Sequence, residues 1–248
     1  ACTGAGRTRK IWPGPRPSRA ALSILKKMES EMKNLQKAGG IAALAAAATY
    51  LFAMGLLVSL LGPMADSSLG FQEYMAVLGA NKALVFVWHF VMYFVNGACL
   101  VVLVPALYER LKPDSPRLAL IASIFGFLWT AFVFLSGVIT NYGIEALITL
   151  YGKNQAQAET LKIVLDAVTL GIDSSDRLLG SLWVGLASLA AFRGKELPKL
   201  VAAFGMLIGA AGLVGTAIPS LVSIAYLFGV GAILWWAAVG IRMLRSRD

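Results

Sequence analysis

Residues 82–110 read KALVFVWHFVMYFVNGACLVVLVPALYER, and this stretch decides the fold. Lys82 and Arg110 enclose an apolar run, 83–108. An α-helix rises about 1.5 Å per residue, so the run is long enough to cross the roughly 30 Å hydrocarbon core of a bilayer. It therefore predicts a transmembrane helix.

The composition of the 248 residues agrees with a membrane protein. Hydrophobic residues make up 58% of the chain and charged residues only 14%, with a mean hydropathy of +0.73. Soluble domains carry about 25% charged residues. Five further apolar segments predict an all-α, six-transmembrane helix bundle. The predicted spans are residues 39–61, 83–108, 118–140, 173–192, 200–218 and 221–241.

The fourth span has the shortest apolar part, 178–192, so it must extend back to Asp173. Before it, residues 141–172 form the longest connection. Apolar residues repeat there at helical spacing (Leu161, Val164, Leu165 and Val168), with Lys162 and Asp166 on the other side. This pattern predicts an outer amphipathic helix between spans three and four, either capping the bundle or lying on the bilayer, with Gly171 separating it from span four.

Residues 1–31 are predicted to lie outside the membrane domain, 32–248. The first 20 are rich in Arg, Pro and Gly and are expected to be disordered. Residues 22–37 predict a short amphipathic helix, either on the membrane surface or as a solvated lead-in to span one. Because the chain does not begin with methionine, we expect the leading segment to be an extension, a tag or an upstream mis-start.

The positive charges predict the orientation. The net charge is +9, and 18 of the 22 Lys and Arg residues fall on one side of the six predicted spans. Positive residues are enriched in cytoplasmic loops, so both termini are predicted to be cytoplasmic. Charge placed in this way indicates topology rather than nucleic-acid binding.

Several kinds of site are excluded by the residues present. Cys2 and Cys99 provide no disulfide framework, and a single histidine excludes multi-histidine metal sites and haem held by two histidines. No lysine lies in a span to carry a retinal-type Schiff base, and no zinc-protease or phosphate-loop motif occurs. We predict no cofactor and no metal, and we assign no catalytic residue.

Two polar clusters form the candidate ligand site. His89, Tyr93 and Asn96 share one face of an ideal helix in span two, and Asp173, Asp176 and Arg177 begin span four. Polar groups are costly in lipid, so both clusters are expected to face the interior and to share an outer-side pocket. The alternative is an Asp173–Arg177 ion pair at the interface and a separate, hydrogen-bonded histidine.

Three glycines of span five, Gly205, Gly209 and Gly212, are predicted to pack against other helices. Small residues three and four apart let helix backbones approach closely in lipid. Packing within the bundle is one interpretation, and a dimerisation surface is the other.

Two stretches carry a resemblance to a known family. They are MKNLQKAGGIAAL at 32–44 and LPKLVAAFG at 197–205. They resemble the bacterial multi-pass membrane proteins of a domain-of-unknown-function family, the one numbered 4386. The resemblance spans roughly residues 32 to 245, and it implies a six-helix bundle in the bacterial cytoplasmic membrane and no activity.

Three classes of function remain open. The sequence favours the first, a membrane scaffold or accessory subunit, whose partners are the lipid bilayer and other helices or a second copy. The second is a binder or carrier of a small or lipophilic ligand, and the third is a membrane-embedded enzyme with a His89–Asp176 acid/base pair. A closed apolar core favours the scaffold, whereas a polar cavity joining spans two and four favours a ligand site.

Overall fold

The computed structural model describes residues 18–65, 68–194 and 196–245, and in these ranges every regular element is a helix. The helices are α1 Arg19–Ser59, α2 Phe71–Ala80, α3 Lys82–His89, α4 Asn96–Leu111, α5 Pro116–Tyr151, α6 Gln155–Gly194, α7 Lys199–Ala217 and α8 Val222–Arg245. A π-helical turn, Phe90–Val95, joins α3 to α4, and 3₁₀ turns occupy Gly62–Ala65 and Pro219–Leu221. Most of the segment predicted to be disordered, residues 1–17, lies outside the described ranges.

The described residues divide into two units, with the boundary between Asn34 and Leu35. In the described part of the first unit, ion pairs at i, i+4 spacing join Lys27 to Glu31 and Lys33 to Glu29. Two of its apolar residues, Leu25 and Met28, are more than half exposed. The predicted lead-in is therefore helical, and it belongs to the same helix as the first predicted span.

Five helices among the described residues are long and apolar enough to cross a membrane. They lie at Leu22–Ser59, Lys82–Leu111, Pro116–Tyr151, Lys199–Ala217 and Ser223–Arg245. The protein is thus a helical membrane protein. α6, which contains the predicted fourth span, is not among the five, because Asp173, Asp176 and Arg177 interrupt its apolar sequence.

The second unit is a closed bundle. α4 packs on α5, α5 on α6, α6 on α7 and α7 on α8. α1 lies between the two ends of this series, since Gly39 contacts Ala106 of α4 and Gly40 contacts Gly240 of α8. We call the end that carries the α5–α6 connection the hairpin end.

Four tryptophans fill the centre of the bundle. Trp129 of α5 stacks on Trp236 of α8 at 5.7 Å between ring centroids, and it lies 5.5 Å from Trp183 of α6. Trp183 in turn meets Trp235 edge to face at 5.6 Å. None of the four is more than 1% exposed.

Glycines make room for two of these rings. Trp183 lies against Gly126 of α5, and Trp129 lies against Gly180 of α6. On each helix the glycine precedes the tryptophan by three residues, so two antiparallel helices exchange the same Gly-x-x-Trp pattern. This reciprocal packing fixes the register of α5 against α6.

A second hydrophobic core lies at the hairpin end, and we call this region the cap. Its buried residues come from α2, α3, α5, α6 and the start of the α1–α2 connection: Leu61, Met75, Leu78, Val85, Ile144, Leu147 and Ala158. An ion pair between Lys82 and Glu145, at 2.9 Å, links α3 to α5. The residues predicted to form a separate outer helix are helical, but Gly171 lies inside α6 and no break separates them from the fourth predicted span.

Candidate functional site

The π-helical turn at Phe90–Val95 changes the face that each polar residue of span two presents. A π turn holds about one residue more than an α turn, so residues seven apart no longer lie on the same face. His89 Nδ1 lies 2.9 Å from Asn141 Oδ1 of α5, whereas the Asn96 amide donates to Thr49 Oγ1 of α1 at 2.9 Å. The single face predicted for His89, Tyr93 and Asn96 is therefore wrong.

The Tyr93 side chain lies between that of His89, which points to α5, and that of Asn96, which points to α1. Its ring is 5.7 Å from the His89 ring, and its Cβ packs against Gly137 of α5. From there the Tyr93 side chain reaches the polar residues at the start of the fourth predicted span.

Two cavities open on either side of the Trp88–Tyr93 segment. The first, which we call the cap cavity, has a volume of about 250 Å³ and lies under α2 between α3, α5 and α6. His89 and Trp88 line it on one side, and Lys162 and Asp166 line it on another. It is mainly apolar, with residues such as Leu61 and Ile144 in its walls.

Charged groups surround Tyr74 at the edge of the cap cavity. Lys162 Nζ lies 4.2 Å from the centre of the Tyr74 ring and forms an ion pair of 2.7 Å with Asp166. Burial of the Tyr74 hydroxyl, and then the Asp166 carboxylate, raise the pKa of Tyr74 to about 12. Tyr74 therefore stays uncharged at neutral pH.

The second cavity, which we call the acidic cavity, has a volume of about 350 Å³ and lies among α1, α3, the π turn, α5, α6 and α8. Its charged residues are Asp173, Asp176 and Arg177. Its aromatic residues are Tyr50, Trp88, Tyr93, Tyr226 and Phe228. Small-molecule sites in proteins have volumes of about 300–1,000 Å³, so this cavity has room for a small ligand.

The charges in the acidic cavity are not paired as the sequence suggested. The Arg177 guanidinium lies over the Tyr226 ring, 5.4 Å from its centre, and not in an ion pair with Asp173 or Asp176 among the described residues. Asp173 lies beside Ser136 of α5, and Asp176 lies beside the indole of Trp129. Oδ1 of Asp176 is shielded from solvent and has no hydrogen-bond partner within the described ranges.

The structure thus brings together four of the six residues of the predicted pocket. Tyr93, Asp173, Asp176 and Arg177 line the acidic cavity. His89 lines the neighbouring cap cavity, and Trp88 lines both. Asn96 is fully buried against α1 and lines neither of the two.

Two rings of the acidic cavity, on α1 and α8, lie outside the predicted site. Tyr50 and Tyr226 each lie in an apolar span, where one aromatic residue looks like an ordinary lipid-facing or interfacial side chain. No sequence signal separates these two rings from other aromatic residues of the spans, and Tyr226 is 63% exposed.

The three glycines of α7 lie at its contacts with α6 and α8. A Cβ on Gly205 would meet Ser188 Oγ and Trp235, and a Cβ on Gly212 would meet Ser181 and Phe228. At Gly209 it would meet backbone atoms, at 2.8 Å from the Ser181 carbonyl oxygen and 2.9 Å from Gly185 Cα.

No metal-binding group is apparent in the part of the chain that the structure describes. No three His, Cys, Asp or Glu residues lie together there. Cys99, in α4, is a half-buried free thiol.

Fold and site together define a helical membrane protein with a polar, aromatic-lined cavity inside its bundle. The family model described as Domain of unknown function (DUF4386) matches residues 38–244, and the chain belongs to that family. This match confirms the resemblance seen at 32–44 and 197–205. No curated protein and no solved structure matches the chain.

Proposed function

We propose that this protein is a six-span protein of the bacterial cytoplasmic membrane that binds or carries a small ligand in the acidic cavity. The observation that carries the proposal is the cavity itself, about 350 Å³ between six elements of the bundle. Intramembrane ionisable residues are expensive and tend to mark a binding site or a pathway. A scaffold that only packs against other helices has no need of such a cavity.

The proposal counts α6 as the fourth span. α6 has 40 residues and is about 60 Å long, and it packs between α5 and α7, which are both long and apolar enough to span. Three polar residues of its predicted span face protein, since Ser181 and Ser188 are fully buried and Asp176 lines the cavity. Low hydropathy in a spanning helix is tolerated when the polar groups face protein.

Positive charges support an orientation with both termini in the cytoplasm. The hairpin end then lies outside, and 18 of the 22 Lys and Arg residues lie inside. The acidic cavity lies near the outer ends of α1 and α8 and about half-way along α5 and α6. In this orientation the shorter path for a ligand is from the outer leaflet or the external solvent.

Reporter fusions test this topology. Fusions after residues 70, 114, 155, 196 and 248 are expected to report outside, inside, outside, inside and inside, because each loop then follows the distribution of positive charge. Alkaline phosphatase and green fluorescent protein fusions give the two complementary readouts. A cytoplasmic reporter at residue 155 would contradict six spans.

The proposed activity is binding rather than catalysis. An acid/base pair needs its two groups within hydrogen-bond reach of a common substrate. His89 and Asp176 line different cavities, and His89 is already hydrogen-bonded to Asn141. The scaffold favoured by the short loops and few charges of the sequence is the alternative that the next experiment tests.

Filling the acidic cavity should abolish ligand binding without harming the fold. Gly229 lines the cavity, and a Cβ there would meet no atom within 4 Å. Gly229→Leu therefore places a side chain in empty space, and it also raises helix propensity by about 0.8–1 kcal/mol. Thermal-shift screening of small cations, neutral molecules and anions is expected to find compounds that stabilise the wild type but not Gly229→Leu.

The matched control is Gly171→Leu, since Gly171 is exposed on α6 and also has open space beyond its Cα. This variant should keep the ligand response of the wild type. If no compound stabilises the wild type more than it stabilises Gly229→Leu, the ligand-binding proposal fails and the scaffold is favoured.

A further inference from the structure

We propose that the ligand of the acidic cavity is a small organic cation, such as an amine or a quaternary ammonium compound. This inference rests on the proposed function, because it names the ligand class of the same cavity. Three independent features of the cavity support it: its charge, an unsatisfied carboxylate oxygen and its aromatic walls.

The charge of the cavity is unbalanced toward acid. Asp173 and Asp176 supply two carboxyl groups, and Arg177 supplies one guanidinium. Arg177 lies over the Tyr226 ring and forms no ion pair with either carboxylate within the described ranges. A bound cation would offset the negative charge of the two carboxylates, whereas a bound anion would add to it.

One oxygen of the carboxylate pair lacks a partner. Oδ1 of Asp176 is hidden from solvent and receives no hydrogen bond from any described residue. Nearly all buried polar atoms in native proteins are hydrogen-bonded, and an unsatisfied one is costly. The Trp129 indole N–H, which also lacks a partner, faces the same carboxyl group, and an ammonium group brought by a ligand would supply a further donor.

The walls of the cavity suit an organic cation better than a bare metal ion. The cavity that contains the acidic pair is also lined by aromatic rings, with the 63% exposed Tyr226 on its open side: Tyr50, Trp88, Tyr93, Tyr226 and Phe228. The faces of such rings attract alkylated ammonium groups, while Ca²⁺ and Mg²⁺ need about six or more oxygen ligands. The cavity already holds one cation in this way, since the Arg177 guanidinium lies 5.4 Å from the centre of the Tyr226 ring.

Three aromatic probes of similar size but different charge test the ligand class. They are benzyltrimethylammonium, neutral N,N-dimethylbenzamide and anionic phenylmethanesulfonate, titrated calorimetrically into the full chain in lipid nanodiscs. We expect saturable binding of the cation alone. Asp176→Asn should weaken it about ten- to a hundredfold, as loss of a contact with a charged group does.

Asp166→Asn is the matched control, because Asp166 lies on the same helix but lines the cap cavity. It should leave binding unchanged.

If the neutral or anionic probe binds as tightly as the cation and Gly229→Leu blocks it, the ligand-binding proposal stands and the proposed cation class is wrong. If NaCl displaces benzyltrimethylammonium at equal concentration, the site is one for an inorganic cation. If no probe binds, or binding survives Gly229→Leu, both proposals fail.

A second measurement does not depend on the folding of Asp176→Asn. A single thiol at Gly229→Cys, with Cys2 and Cys99 replaced by alanine, is labelled with a trimethylammonium or a sulfonate methanethiosulfonate reagent. The ratio of cationic to anionic labelling rates should exceed that of Gly79→Cys by about tenfold or more, since the cavity concentrates cations. Gly79 is exposed on α2 with open space around it. A ratio equal to or below this control would overturn the organic-cation proposal.

Discussion

A leucine at Gly209 is expected to prevent the bundle from forming, while a leucine at Gly229 is not. At Gly209 even a single Cβ would lie 2.8 Å from the Ser181 carbonyl oxygen and 2.9 Å from Gly185 Cα. These are backbone atoms, which cannot turn aside as a side chain can. α6 and α7 would have to separate, and the contact between them would be lost. We expect Gly209→Leu to give no monodisperse peak in fluorescence-detected size exclusion, and Gly229→Leu to give a normal one.

A milder pair of variants measures the same contact. Gly209→Ala should lower stability by about 1–3 kcal/mol, the usual cost of overpacking. Gly185→Ala, on the facing helix, should be neutral or stabilising, because a Cβ there meets only Gly209 Cα at an ordinary 3.9 Å. If both alanines have the same effect on thermal unfolding in detergent, Gly209 is not the point of closest approach.

The fold class was predictable because a membrane span is recognised from the apolar composition and the length of its sequence segment. Apolar runs as long as 83–108 and 200–218 are stable in a bilayer. In lipid the backbone of such a segment must satisfy its own hydrogen bonds, so the segment is helical. The helices α3–α4 and α7 occupy these runs. The end of the amphipathic segment was harder to predict. Gly171 suggested a break, yet glycine in a helix costs only about 1 kcal/mol relative to alanine, and tertiary packing overrides it.

The candidate site was partly predictable, and the part that failed has a definite cause. The sequence alone identifies Asp173, Asp176 and Arg177 as candidate site residues, because charged residues are rare in membrane spans. Their relation to His89 depended on ideal α-helical phase, and the π turn at Phe90–Val95 breaks that phase. No residue type marks a π turn reliably, so His89 could not have been assigned to the cap cavity from spacing alone.

The packing of the tryptophan core could have been predicted from a repeated spacing in the sequence. Gly126 and Trp129 on one predicted span have the same spacing as Gly180 and Trp183 on the next. Two antiparallel neighbours with the same bulky–small pair can each place the ring over the other's glycine. That is the arrangement of α5 and α6. It also explains why the acidic cavity ends where it does, since Trp129 lies beside Asp176.

Trp129→Ala is therefore expected to cost stability and to enlarge the acidic cavity at the same time. The ring is 1% exposed and contacts Trp183, Trp236 and Phe228. Removing a buried Trp costs about 3–5 kcal/mol in soluble cores, and lipid cannot enter to fill the space, so we expect the apparent Tm in detergent to fall by roughly 10 °C. Phe127→Ala, two residues away on the same helix and 48% exposed, should change it little. Equal losses in the two variants would mean that the centre of the bundle is not packed around Trp129.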